Sequence, residues 1–130
     1  MGYKILISDS VHEKGINLLR ERKNFFVDER PNLSHGELKA IISNYDALIV
    51  RSSTVVDREV LQEASLLRVI GLAGTGLDNI DVAEATRRGI LVMNVPGGNA
   101  MAKAEHTLSL IMSAHRQIPQ AVASMKNGKW

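Results

Sequence analysis

Short apolar runs along the chain alternate with stretches whose apolar positions recur at helical spacing. Ile5-Leu6-Ile7 is continuous, the pattern of a strand buried on both faces of a parallel sheet. Ser10 and Glu13 have capping-box spacing and predict a helix start, with Val11, Leu18 and Leu19 on its buried face. Phe25-Phe26-Val27 predicts a second strand. Ser34 and Glu37 repeat the capping box, Leu33 and Leu38 have staple spacing, and Leu38, Ile41 and Ile42 form the next buried face. Ala47-Leu48-Ile49-Val50 is a third strand pattern, ending at Arg51-Ser52-Ser53. Asp57 is placed to cap the following helix, with Val56 and Leu61 at staple spacing. Val69-Ile70 is the fourth apolar run and leads into a glycine loop. Asp81 and Glu84 open a short helix that carries Arg87-Arg88 in its last turn and Gly89 at its stop. Ile90-Leu91-Val92-Met93 is the fifth run.

Five strands alternating with helices predict an α/β fold, a parallel sheet with right-handed crossovers. The flavodoxin-like order 2-1-3-4-5 suits five such units and places ligands at the carboxyl ends of the strands. The loops Ser8-Asp9-Ser10, Arg51-Ser52-Ser53 and Ala73 to Gly76 are expected to converge there as the functional site.

After Asn94-Val95-Pro96-Gly97-Gly98 the pattern changes. Asn99 is a candidate N-cap for a longer helix from Ala100 to about Arg116, with Ala104, Leu108, Ile111, Met112 and His115 on one face. Thr107, Leu110 and Ala114 make the opposite side apolar as well, so burial between bodies or in a subunit interface is expected. Pro119 predicts a second short helix starting with it at the N1 position, with Gly128 near its end. Lys129-Trp130 ends the sequence with no expected turn, cap or tail, as if the chain were cut there.

Composition narrows the class. The 130 residues carry a formal net charge of +2 with only 4% aromatics, and the basic residues are scattered, which argues against nucleic-acid binding. The absence of cysteine excludes disulfides, thiolate metal sites and cysteine nucleophiles. No apolar run approaches the roughly 18 residues of a membrane span. Met1-Gly2 lacks the Ser or Thr that a myristoylation signal needs at the sixth position, where Ile7 stands. A cytoplasmic protein is expected. His12 and His35 fall in first helical turns and are expected to be solvated. His106 and His115 are nine residues apart, not the four that would stack them on one helix face, so no metal site is expected.

The loop Gly71-Leu72-Ala73-Gly74-Thr75-Gly76 is the densest candidate for function. Its glycines permit positive φ and close approach of a ligand to backbone. It begins like a dinucleotide fingerprint, but Asn79 occupies the third glycine position and no acid follows the next strand. Two readings remain: a structural turn, or a turn presenting N–H groups to a carboxylate or phosphate. Arg51, directly after a strand, reads as a carboxylate or phosphate contact or as a surface ion pair. A phosphorelay receiver needs an aspartate ending strand three and a lysine ending strand five. Arg51 and Asn94 stand there, and that reading fails.

Four ordered blocks then carry a resemblance: Leu48-Ile49-Val50-Arg51-Ser52, Ala73-Gly74-Thr75-Gly76-Leu77-Asp78-Asn79-Ile80-Asp81, Arg88-Gly89-Ile90 through Pro96-Gly97-Gly98-Asn99, and Ala104-Glu105-His106-Thr107. They are similar to the amino-terminal region of the NAD-dependent D-2-hydroxyacid dehydrogenases. The tail, Arg116-Gln117-Ile118-Pro119-Gln120-Ala121 and Ala123 to Trp130, resembles the phosphoglycerate branch of that family. The resemblance implies that residues 1–99 are a substrate-binding lobe and 100–130 an interdomain and dimer helix leading into a truncated nucleotide-binding domain.

By the same resemblance, Arg51 and Ser52 contact acidic groups of a small 2-hydroxy or 2-keto acid. The backbone of Gly74 to Gly76 holds its carboxylate, Thr75 lies near the nicotinamide of NAD, and Asn99 lies near the substrate. Pro96-Gly97-Gly98 is the hinge between lobes. The family's own fingerprint and its Arg, Glu and His catalytic residues match nothing before Trp130. No catalytic residue, no bound NAD and no activity are therefore expected of this chain alone. In the family the carboxyl end of the whole protein returns to complete the first lobe, so self-association through Ala100 to Arg116 is expected here. Leu72 and Ser53 stand where phosphate-binding members carry basic residues, which keeps glyoxylate, hydroxypyruvate or another 2-keto acid open as substrate. An NAD-sensing corepressor-like module is the other alternative.

Overall fold

In the computed structural model residues 2–129 are described; the readings that fell on Met1 and Trp130, the myristoylation start and the blunt end, lie outside them. The chain divides into two compact units, residues 1–96 and 97–130.

Among the described residues the first unit holds five strands, β1 (Tyr3–Ile7), β2 (Phe25–Glu29), β3 (Ala47–Val50), β4 (Val69–Leu72) and β5 (Leu91–Met93), four α-helices, α1 (Glu13–Arg20), α2 (His35–Ile41), α3 (Arg58–Glu63) and α4 (Val82–Arg87), and a 3-10 turn (Ile42–Asn44). All neighbouring strands are parallel, in the order β2-β1-β3-β4-β5, as the pattern predicts. The step from β1 to β2 runs opposite to the steps from β2 onward. With right-handed crossovers, α1 therefore covers one face and α2, α3 and α4 the other.

Packing follows that division. Leu6, Leu48, Val50, Ile70 and Leu72 from the strands join Leu38, Val60, Leu61 and Ala85 from α2 to α4 in one core cluster. Ile5 and Ile7, on the other face, are buried with Ile16 of α1. On β5, beyond the reach of α1, Leu91 and Met93 are exposed.

Local capping sets the helix limits. Ser34 and Glu37 form the expected reciprocal box on α2, and the Ser34 bond holds the Glu37 carboxyl below its usual range. Asp57 caps α3 by accepting from Val60 N–H at 3.0 Å, and its other oxygen meets His35 Nε2 at 2.9 Å. Burial pushes the Asp57 carboxyl up, but these bonds outweigh it and the group ends below its ordinary value. His35 is thus paired rather than merely solvated, and it ties α2 to α3. Asp81 caps α4, and Gly89 ends it at φ +72°, with Gly89 and Ile90 N–H bonded back to Thr86 and Ala85.

Two expectations for α1 fail. Its N-cap is His12, whose Nδ1 accepts from Lys14 N–H, not Ser10. Its buried residue is Ile16, while Leu18 is 63% exposed. Ile16 and the half-buried Leu19, three residues apart, share the inward face, and Leu18 stands about 200° around the helix from Ile16.

The second unit consists of α5 (Ala100–His115) and α6 (Ile118–Lys126). Pro119 is the second residue of α6, after Gln117 in the left-handed region at φ 51°. Gly128, at φ +68°, stands just past α6 as expected, and Gly128 and Lys129 N–H bond back to Met125 and Ser124. Met101, Leu108, Leu110, Ile111 and Met112 of α5 are all exposed. Among the described residues, no helix is long and apolar enough to cross a membrane.

Candidate functional site

Parallel pairing brings the carboxyl ends of β1, β3 and β4 side by side, Ile7 beside Ile49 and Val50 beside Leu72. The chain leaves the sheet at Ser8, Arg51 and Ala73. There backbone groups lose their ladder partners and need others. The pairing continues one bond further on each side, Ser8 N–H to Ile49 O at 3.1 Å and Ala73 N–H to Val50 O at 2.8 Å.

The turn 51–54 is held by two side chains with opposite hydrogen-bonding character. Asp9, 6% exposed, places Oδ2 where it accepts from Arg51 N–H at 2.5 Å and Thr54 N–H at 3.2 Å. Asn79 Nδ2 donates to Arg51 O at 2.6 Å and Thr54 O at 2.7 Å. The buried hydroxyls of Ser8 and Thr54 meet at 3.0 Å. Ser52 and Ser53 stand exposed at the tip, and the Arg51 side chain is also exposed, its Nη1 donating to Ser10 O at 3.3 Å.

The glycine loop is anchored through its carbonyls. Gly74 O accepts from Val95 N–H at 2.8 Å, Thr75 O accepts from Asn94 Nδ2 at 2.8 Å, and Thr75 Oγ1 reaches Val95 O at 3.4 Å. A parallel bridge between Val56 and Ile80 joins the stretch after the arginine turn to the stretch after the glycine loop. Positive φ is not what the loop glycines supply: among the described glycines it occurs at Gly89, Gly97 and Gly128 only. A Cβ at Gly76 would stand 3.0 Å from Asp78 Oδ2, the end of an exposed side chain that has room to shift.

Arg51, Ser52, Gly74, Thr75 and Gly76 therefore lie on adjoining loops at one edge of the sheet. Asn99 belongs to the other unit, where it is the N-cap residue of α5. Sequence reasoning does not single out Asp9, Thr54 or Asn79 as separate parts of the site. A polar residue just past an apolar run, as Asp9 is, was the available signal, because unpaired backbone groups collect at such places.

The chemistry on offer is anion binding. Arg51 supplies a guanidinium at the carboxyl edge, while the Asp9 carboxylate is committed to two backbone amides and is not placed as a base. The residues do not form a dinucleotide pyrophosphate cradle. The third glycine position carries Asn79, whose amide is engaged with the neighbouring turn, and residues 77–81 intervene before α4 begins.

A parallel sheet in this order, with an arginine and a glycine loop on adjacent carboxyl ends, puts the candidate site at the edge where open α/β sheets bind their ligands. The family profile described as D-isomer specific 2-hydroxyacid dehydrogenase, catalytic domain, matches residues 5–127, and the chain belongs to that family. Within it, the chain is 50% identical to human D-3-phosphoglycerate dehydrogenase over 127 residues, 98% of this chain and 24% of that protein. It spans about a quarter of the length of the curated relatives it matches. Among solved structures, the TT0316 protein of Thermus thermophilus superposes with a TM-score of 0.88 at 29% identity, covering 98% of this chain and 41% of that one. The NAD+-bound 3-phosphoglycerate dehydrogenase of Entamoeba histolytica gives 0.76 at 26% identity, covering 87% and 39%.

Proposed function

We propose that this chain is the substrate-binding lobe of an NAD-dependent D-3-phosphoglycerate dehydrogenase, oxidising 3-phosphoglycerate to 3-phosphohydroxypyruvate for serine biosynthesis in the cytoplasm. The observation that carries the reading is the placement of Arg51 beside the glycine loop, on the adjacent carboxyl ends of β3 and β4. In this reading Arg51 and Ser52 contact the substrate's acidic groups, the backbone of Gly74 and Gly76 holds its carboxylate, and Asn99 lies near it. NAD, when bound, accepts the hydride; Thr75 is the one position here assigned to its nicotinamide edge. Residues 1–99 act as the lobe and 100–130 as the interdomain helix. The relatives named D-3-phosphoglycerate dehydrogenase, matched over 98% of this chain, support the choice of substrate. The exposed apolar residues of α5 support self-association with a second copy.

A second reading keeps the family and changes the substrate to glyoxylate, hydroxypyruvate or another 2-keto acid. It is favoured by the charge of the two loops: Arg51 is the one cation in residues 51–54 and 72–76, Leu72 is buried in the core, and Ser53 is neutral. One guanidinium suits one carboxylate, whereas a phosphate calls for further positive charge. The test is a substrate series on the full-length enzyme, as wild type and as Arg51→Ala. Preference for 3-phosphoglycerate, with KM raised on the order of 10²-fold by loss of the ionic contact, is expected. Preference for an unphosphorylated acid selects the second reading. An unchanged KM in Arg51→Ala removes Arg51 from the substrate site.

A further inference from the structure

Asp9 and Asn79 hold the arginine turn in a way that neither could if exchanged. Each reaches the same two residues, the first and last of the turn. The carboxylate of Asp9 takes both N–H groups and the amide of Asn79 gives to both C=O groups. The two come from opposite sides, one from the end of β1 and the other from the stretch after β4. All four backbone groups lie past the end of the β3 ladder, where the sheet offers no partners. The Asp9 bonds are charge-assisted and shielded from water, which makes them stronger than neutral bonds at the surface. Behind the turn, Ser8 and Thr54 close the buried side with their own hydroxyl contact.

We propose that Asp9 and Asn79 are positioning residues: they clamp the turn 51–54 so that Arg51 and Ser52 meet the substrate's acidic groups from a preformed geometry. The inference rests on the reading of Arg51 as a substrate contact and adds to it the groups that set its aim. Preorganisation of this kind lowers the ordering cost of binding and is felt in substrate affinity before it is felt in the chemical step. It also explains why the third glycine position of the loop carries Asn. The side chain there is the donor that joins the glycine loop to the arginine turn.

Asn79→Asp is the sharp test, because it places carboxylate oxygens against two carbonyl oxygens. Asp9→Asn is the mild one, because an amide oxygen with two lone pairs can still accept from both N–H groups and only the charge is lost. In the full-length enzyme Asn79→Asp is expected to raise KM for the acid substrate on the order of ten-fold and Asp9→Asn about three-fold, with kcat and the NAD dissociation constant within about two-fold of wild type. In an Arg51→Ala background Asn79→Asp should add about three-fold at most, since only Ser52 is then left for the turn to aim. Effects that multiply in that background, or kcat and NAD affinity falling together with KM, would overturn the proposal, and so would failure of both variants to fold. A KM raised by Arg51→Ala but untouched by the clamp variants would sink the clamp alone. A KM indifferent to Arg51→Ala would remove the substrate reading beneath it.

Discussion

Glu84 shows how one residue can satisfy a helix and its neighbours at once. It is buried at 5% exposure, and its two oxygens meet Arg88 at 2.6 Å, Arg87, and Arg58 of α3 at 3.5 Å. The Arg88 bond, followed by the charges of Arg87, Arg88 and Arg58, outweighs burial and lowers the carboxyl from its ordinary value of 4.5. A carboxyl that titrates lower in the folded than in the unfolded protein stabilises fully above the unfolded value. That contribution is lost as pH falls through the lowered native value. The Tm difference between the protein and Glu84→Gln should therefore be constant from pH 7 to roughly 5.5 and shrink below about 4. A difference that persists at pH 3 would refute the role given to the charge. Sequence spacing assigned Glu84 to the helix start through Asp81, and that bond is present at 2.9 Å. The three-arginine cluster was not legible, because Arg58 lies on another helix.

At the scale of elements, the capping signals were the most legible part of the sequence after the strands themselves. Ser34, Asp57, Asp81 and Gly89 all sit where their residue types predict, because each bond closes within a few residues. Gly89 can be tested directly. A Cβ there meets nothing within 4 Å, so any cost of Gly89→Ala comes from its φ of +72° and not from crowding. A loss of about 1 kcal/mol in denaturant unfolding is expected. No loss would mean that the turn relaxes freely. The start of α1 departs from its sequence expectation for a related reason. Two polar residues near a helix start, Ser10 and His12, are both within reach of capping it, and His12 Nδ1 takes the bond from Lys14 N–H.

At the scale of the whole molecule, α5 is the open feature. Met101 is 74% and Met112 is 67% exposed, and the helix has apolar residues on several sides. A second copy covering this face predicts that the protein self-associates and that Leu108→Gln with Met112→Gln, both exposed, weakens association without lowering thermal stability. Light scattering over a concentration series checks this. A wild-type chain that stays monomeric at high concentration would count against it. The strand order, by contrast, is the flavodoxin-like one expected for five such units; apolar runs and crossover handedness set the parallel sheet but leave other orders open.

Periodicity, caps and the right-handed crossover are local or near-local constraints, so the sequence by itself determined five parallel strands and the end of the sheet where their loops collect; the order that sets Arg51 beside the glycine loop was matched to a known fold type of five such units. Only the tertiary structure decided how that edge is held. Asp9, Arg51, Thr54 and Asn79 are separated by 25 to 45 positions across the contacts that join Asp9 or Asn79 to the turn. Donor and acceptor roles at such separations depend on which backbone groups the sheet leaves unpaired, and no period in the chain records that. The glycine loop changed meaning for the same reason. Its third position carries a side chain that reaches into the neighbouring turn.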